Sequence, residues 1–135
     1  MEKKIAVACS AFLENEKNQF LFLKRAESSS WGKNQWQLAE GKMEWGESPE
    51  QTIEREIMEE TNCKAQNLKF IGYQTVNIQA KGNDYHVLIL NFKGKLEGKI
   101  KLSEEHSEFA WWELKESLKE NLVVGLKEFI NENFL

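Results

Sequence analysis

The chain has 135 residues, enough to fold as a single domain spanning residues 1–135 and to bury a core without disulfide or metal staples. Hydrophobic residues make up 41% and charged residues 30%, an ordinary globular balance, and the formal charge of -4 excludes a general binder of nucleic-acid polymers. The apolar runs are far too short to span a membrane.

Cys9 and Cys63 have no metal-ligand spacing and read as reduced thiols of a cytoplasmic protein. Met1-Glu2-Lys3-Lys4 leads straight into a strand-like run, so no signal peptide is expected.

In chain order, Ile5 to Leu13 is β-rich, Glu14 to Asn18 is a polar turn, and Gln19 to Lys24 is a second short strand. Ser28 to Asn34 reads as a loop and Trp36 to Leu38 as a strand. Leu68 to Ile78 and Tyr85 to Phe92 form a hairpin around the turn Ala80 to Asp84, and Gly94 with Gly98 marks another turn. Phe109 to Trp112 is the last strand. Leu122 to Phe134 is an amphipathic helix with Val123, Leu126, Phe129, Ile130 and Phe134 on one face. Alternating helix and strand signals predict helices packed around a mixed sheet.

The segment Gly41 to Cys63, GKMEWGESPEQTIEREIMEETNC, carries the chemistry. Ser48 is the expected N-cap of its helix, Pro49 suits the first helical position, and Gln51 completes a capping box. Ile53 and Ile57 form an apolar stripe, and Asn62 is the expected left-handed C-cap. Arg55 is spaced to reach back to Glu47. Glu56, Glu59 and Glu60 project from the helix within an arc of roughly 100°. Like charges at i,i+4 repel by a few tenths of a kcal/mol, so the cluster asks for a hard divalent cation with oxygen ligands, and with it a phosphate substrate. The alternative is a solvated acidic helix face.

Gly41, five residues, Glu47, seven residues, then Arg55-Glu56-Ile57-Met58-Glu59-Glu60 and an apolar Cys63 resembles the signature of the Nudix hydrolases. It departs from that signature at Asn62, where the family has glycine. Upstream, Trp36-Gln37-Leu38-Ala39-Glu40-Gly41 resembles the family's W-x-x-P-G-G, with Ala39 and Glu40 in place of proline and the first glycine. Glu40 is either a further metal ligand or a solvent-facing change, and the second is preferred. The rest of the chain from Ile5 to Leu118 resembles the family more weakly, as in Leu23-Lys24-Arg25 and in Glu105 before Trp111-Trp112.

The resemblance implies an α/β/α sandwich around a mixed β-sheet, of the α/β (α+β) class, with its Nudix box at 41–63. It implies hydrolysis of a nucleoside diphosphate linked to a further group, with Mg²⁺ as cofactor and Mn²⁺ as a substitute. Glu56, Glu59 and Glu60 would bind metal, with Glu105 as an extra ligand or base and Glu104 and Glu108 as its rivals. Glu56 and Glu59 are the candidate catalytic residues. Gly41, Glu47 and Arg55 would shape the box. Arg25, Trp45, Tyr85 and His86 are candidate substrate contacts, and Trp31 is a second loop tryptophan able to stack on a base. Trp36, Trp111 and Trp112 are expected mainly in the core.

The expected reaction cleaves a (deoxy)nucleoside triphosphate to monophosphate and pyrophosphate. ADP-ribose, a sugar nucleotide, or nucleotide binding with little turnover are the alternatives. No proline follows the box, which argues against the ADP-ribose type. A homodimer is left open.

Overall fold

The computed structural model describes all residues, 1–135. Seven strands and three helices follow in the order β1 (Lys3–Glu14), β2 (Phe20–Arg25), β3 (Trp36–Gln37), β4 (Ala39–Lys42), α1 (Pro49–Thr61), β5 (Ala65–Ala80), β6 (Asn83–Leu96), β7 (His106–Trp112), α2 (Leu114–Ser117) and α3 (Leu126–Phe134).

All strands belong to one mixed sheet of order β3-β2-β1-β6-β5, with β4 on β1 and β7 on β2. β1 runs parallel to β6 over its whole length and antiparallel to β4 between Ala8 and Ala11. Only the pair Glu14 and Phe20 joins β1 to β2. The sheet is therefore two leaves, β4-β1-β6-β5 and β3-β2-β7, hinged at the β1–β2 turn.

Both faces of the sheet are covered, which is why β1 reads as a continuous apolar run rather than an alternating one. On one face Cys9, Ala11 and Leu13 meet Ile53 and Ile57 of α1, with Leu21, Leu23, Ala39, Phe92 and Leu96 around them. On the other, Phe12, Phe20 and Phe22 meet Leu126, Phe129 and Ile130 of α3 and Leu114 of α2. This is the expected α/β/α sandwich. Trp36 and Trp112 pack edge to face at 4.7 Å beside this second core, and Trp111 packs against the first.

Helix α1 starts as its residues dictate. The Ser48 hydroxyl accepts the Gln51 N–H at 3.1 Å, and the Gln51 side chain accepts the Ser48 N–H at 2.9 Å. Pro49 occupies the first turn, where no N–H is missed. Asn62 closes the helix in the left-handed region, φ 59° and ψ 26°, with its N–H on the Met58 carbonyl. The family's glycine is thus replaced by the residue that tolerates this conformation next best.

Three elements differ from expectation. The hairpin is longer, because Lys81 and Gly82 alone form the turn, both with positive φ, as a two-residue hairpin loop requires. Gly94 lies inside β6 rather than in a turn. A Cβ there would fall 2.9 Å from the Gln66 carbonyl, so the glycine serves close passage of the bulged β5. Helix α3 begins at Leu126, not Leu122. Leu122 and Val123 instead bridge to Trp36, and Gly125 turns the chain at φ 83°, where a Cβ would strike Val76. β4 and α2 are too short for a periodic signal.

Replacing Ser48 by Ala removes one half of the capping box and should cost about 1 kcal/mol. Thermal unfolding in metal-free buffer should show a midpoint lowered by about 3 to 5 °C.

Candidate active site

The site is assembled around Arg55. Its Nε and Nη2 donate to the two oxygens of Glu47 at 2.6 and 3.0 Å, so the fork closes the loop 43–48 onto the helix. Nη2 also donates to the Lys42 carbonyl at 3.1 Å, which fixes the end of β4. The remaining arm, Nη1, donates to Glu56 at 2.7 Å and to Glu59 at 3.3 Å. The Arg55 hydrogen bonds hold the Glu47 carboxyl down at about 2, helped by the Glu44 backbone N–H and the Thr52 hydroxyl.

Glu56 and Glu60 are buried, whereas Glu59 is exposed. Burial raises the proton affinity of both buried carboxyls, most strongly at Glu60, where the neighbouring Glu56 adds to it. One oxygen of Glu60 accepts the Glu40 backbone N–H at 3.1 Å, and its other oxygen is buried without any partner. Gly41 makes room for this pair, since a Cβ there would sit 2.0 Å from the Glu56 carboxyl carbon. Any side chain at position 41 would push Glu56 aside.

A cleft of about 720 Å³ opens beside these glutamates. Its acidic end is lined by Glu40, Gly41, Glu56, Glu104 and Glu105, and Arg25 and Trp31 line the same cleft, with Arg25 close enough to Glu40 and Glu105 to feel their charge. The guanidinium of Arg25 stacks 3.9 Å from the centre of the Trp31 ring, donates to the Trp31 carbonyl at 2.9 Å and to Gln37 at 2.6 Å. Ala8, Val87 and Ile89, flanked by Val76, Ile78 and Tyr85, form an apolar floor across β1, β6 and β5. Val123 and Val124 border it from the far side.

The structure thus brings Arg25, Gly41, Glu56, Tyr85 and Glu105 to one cleft, whereas Glu59 and Glu60 are not part of its lining. It does not bring Trp45 or His86 there. Trp45 is fully exposed in the loop before α1, and His86 faces out of β6, bonded through Nδ1 to Asn77 at 2.7 Å. Glu104, one of the rivals of Glu105, also lines the cleft, whereas Glu108 pairs with Lys24 at 3.3 Å away from it. Glu40 is not solvent-facing. It is half-buried in the cleft wall, and burial lifts its carboxyl to about 7 against the opposing pull of Arg25.

Trp31, the serines Ser28 to Ser30, Lys42 and Lys81 line the cleft as well. Of these only Trp31 had a sequence signal, a tryptophan in a loop. Lys42 and Lys81 look like any other surface lysines along the chain.

The match to the NUDIX domain family model runs over residues 4–132. The chain belongs to the Nudix family. It is similar to the MutT protein from Methanosarcina mazei Go1 at 28% identity, over 98% of this chain and 94% of that one, with a TM-score of 0.78. A C. elegans Ap4A hydrolase, solved as a binary complex, shares the fold at 23% identity and a TM-score of 0.71, covering 94% of this chain and 93% of that one. The NUDIX domain of Shewanella oneidensis NrtR, solved with ADP ribose, shares it at 18% identity and a TM-score of 0.76, covering 94% and 84%.

The protein is therefore a Nudix pyrophosphohydrolase, of a family that acts on small nucleotide-type substrates with a divalent metal. Its donor set fits such an ion: the glutamates offer only hard oxygen ligands, and one buried Glu60 oxygen has no hydrogen-bond partner and is free to accept a cation. In the arrangement seen, no three acidic, imidazole or thiol groups converge as a finished metal site. No helix is long and apolar enough to cross a membrane.

His106, at the start of β7, is buried with both ring nitrogens unpartnered, and burial together with Arg25 holds it near 4. The unfolded chain takes up this proton near its ordinary 6.5 and the folded one only near 4. Between those values the unfolded state binds more protons, so stability falls as pH falls. Denaturant unfolding in EDTA should show wild type losing on the order of 2 kcal/mol more than His106→Leu between pH 6.5 and 4.

Proposed function

We propose that the protein hydrolyses nucleoside triphosphates to monophosphate and pyrophosphate with Mg²⁺ as its cofactor. The observation that carries this reading is the continuity of one cleft from a carboxylate end to an apolar floor. A nucleotide has the same polarity, with a polyanionic end that requires cations beside glutamates and a flat apolar base. At about 720 Å³ the cleft lies in the size range of small-molecule sites.

Glu56, Glu59 and Glu60 would hold Mg²⁺, with Glu105 or Glu104 contributing from the loop before β7. Bound there, the ion neutralises phosphate charge and makes an attacking water more acidic. Mn²⁺ satisfies the same oxygen donors and should substitute. Arg55 steadies Glu56 and Glu59, and one of these two takes the proton from the water. Glu59, being exposed, reaches water more readily than the buried Glu56. Arg25 lines the same cleft as the glutamates and would meet the phosphate chain. Tyr85 borders the base, where Lys42 lies 5.9 Å over its ring. Trp31 takes the role first expected of Trp45.

A panel of nucleoside triphosphates, ADP-ribose, sugar nucleotides and dinucleoside polyphosphates should be assayed with Mg²⁺ and with EDTA. Triphosphates should be the best substrates, EDTA should abolish turnover, and Glu59→Gln should lower kcat by about a hundredfold or more. Faster turnover of another class would overturn the substrate assignment. Equal rates for wild type and Glu59→Gln would remove Glu59 from the chemistry.

A further inference from the structure

We propose that Glu40 reads a sugar hydroxyl of the substrate and makes the enzyme selective for ribonucleotides over deoxyribonucleotides. The inference rests on the nucleotide reading above and adds the part of the substrate that reading leaves open.

Position is the first argument. β4 lies on β1, so the side chains of Glu40, Ser10 and Asn91 occupy one row across β4, β1 and β6. The next row is Lys42, Ala8 and Ile89, and the one after it holds Ala6 and Val87. Rows containing Ala6 and Ala8 are the apolar floor, whereas Gly41 and Glu56 mark the carboxylate end. Glu40 therefore stands at the junction. With phosphates at one end and a base on the floor, the junction is where the sugar lies.

Chemistry is the second argument. Glu40 uses its backbone N–H on Glu60, but its carboxyl makes no hydrogen bond or ion pair. The other cleft carboxyls are served: Arg55 binds Glu56, and Glu104 and Glu105 are exposed to water. A half-buried carboxyl without a hydrogen-bond partner is a group awaiting one, and a hydroxyl can serve it in either protonation state. A phosphate oxygen offers no donor and carries like charge. A ribose offers hydroxyls.

The wall behind Glu40 is polar as well. The Ser10 hydroxyl donates to Asn91 at 3.2 Å, both are buried, and the Asn91 amide nitrogen has no partner. This row is thus unlike the alanine and valine rows beside it. Removing the 2′-hydroxyl leaves the Glu40 carboxylate desolvated and unpaired, which should lower kcat/KM tenfold or more.

The test compares matched ribo and deoxy pairs on wild type, Glu40→Gly and Glu40→Gln. Two readouts are taken: kcat/KM for ATP, dATP, GTP and dGTP with Mg²⁺, and calorimetric Kd for the corresponding monophosphates in EDTA. Wild type should prefer the ribo form at least tenfold in one base pair of substrates. Glu40→Gly should bring that ratio to within about threefold, and Glu40→Gln should retain part of it.

A wild-type ratio near one, a ratio that survives Glu40→Gly, or an equal loss for both sugars overturns the proposal. The last result would point to a metal-binding or structural role for Glu40. If no triphosphate is turned over, the proposed reaction fails while the monophosphate Kd ratio still decides the sugar question. Absence of monophosphate binding overturns the sugar reading too.

Discussion

A single guanidinium organises the acidic helix and everything that approaches it. Arg55 spends two N–H groups on Glu47, one on the Lys42 carbonyl and the remaining arm on Glu56 and Glu59. A planar fork of five donors can do this, whereas a lysine ammonium could not reach the loop, the strand and the helix at once. The result is a loop held against a helix end, with β4 delivered alongside. Without that tether the carboxylates would repel one another on a solvated helix. With it, Glu56 and Glu60 can be buried beside each other, at a desolvation cost that leaves both reluctant to ionise.

Burial of acids creates the chemical demand that the family's metal answers. Glu60 has an oxygen with no partner, Glu56 is pressed against a glycine that leaves no space for a Cβ, and the cleft opens directly beside them. The sheet contributes the complementary half. Because β1 and β6 run parallel across the middle, alternate residues such as Ala8 and Ile89 face the cleft while Cys9 and Leu90 face the α1 side. Small side chains on β1 keep the floor open. In the proposed reaction, catalysis and substrate selection would thus come from opposite faces of one strand and meet at β4.

Much of this was legible in the sequence because it is local. The capping box, the Asn62 cap, the Glu47–Arg55 spacing and the glutamate arc are fixed by distances of two to eight residues along the chain. The apolar run of β1 and the helical periodicity of α3 are legible as well, although Gly125 cuts α3 short at its start. What could not be read is set by long-range register. That Trp31 rather than Trp45 borders the cleft depends on how the loop after β2 folds onto Arg25. The outward aim of His86 depends on which parity of β6 faces the floor. Glu40 looked like a surface substitution, and only its pairing with Ser10 on β1 turns it into the cleft.

The central claim is that Arg55 presents Glu56, Glu59 and Glu60 as a site for a divalent cation. Titration with Mn²⁺, following loss of the free-ion electron paramagnetic resonance signal, measures this without any turnover. Wild type should bind Mn²⁺ saturably, with affinity at least tenfold weaker in Glu60→Gln and weaker again in Glu56→Gln/Glu60→Gln. Equal Mn²⁺ affinity in wild type and the double variant would contradict the account.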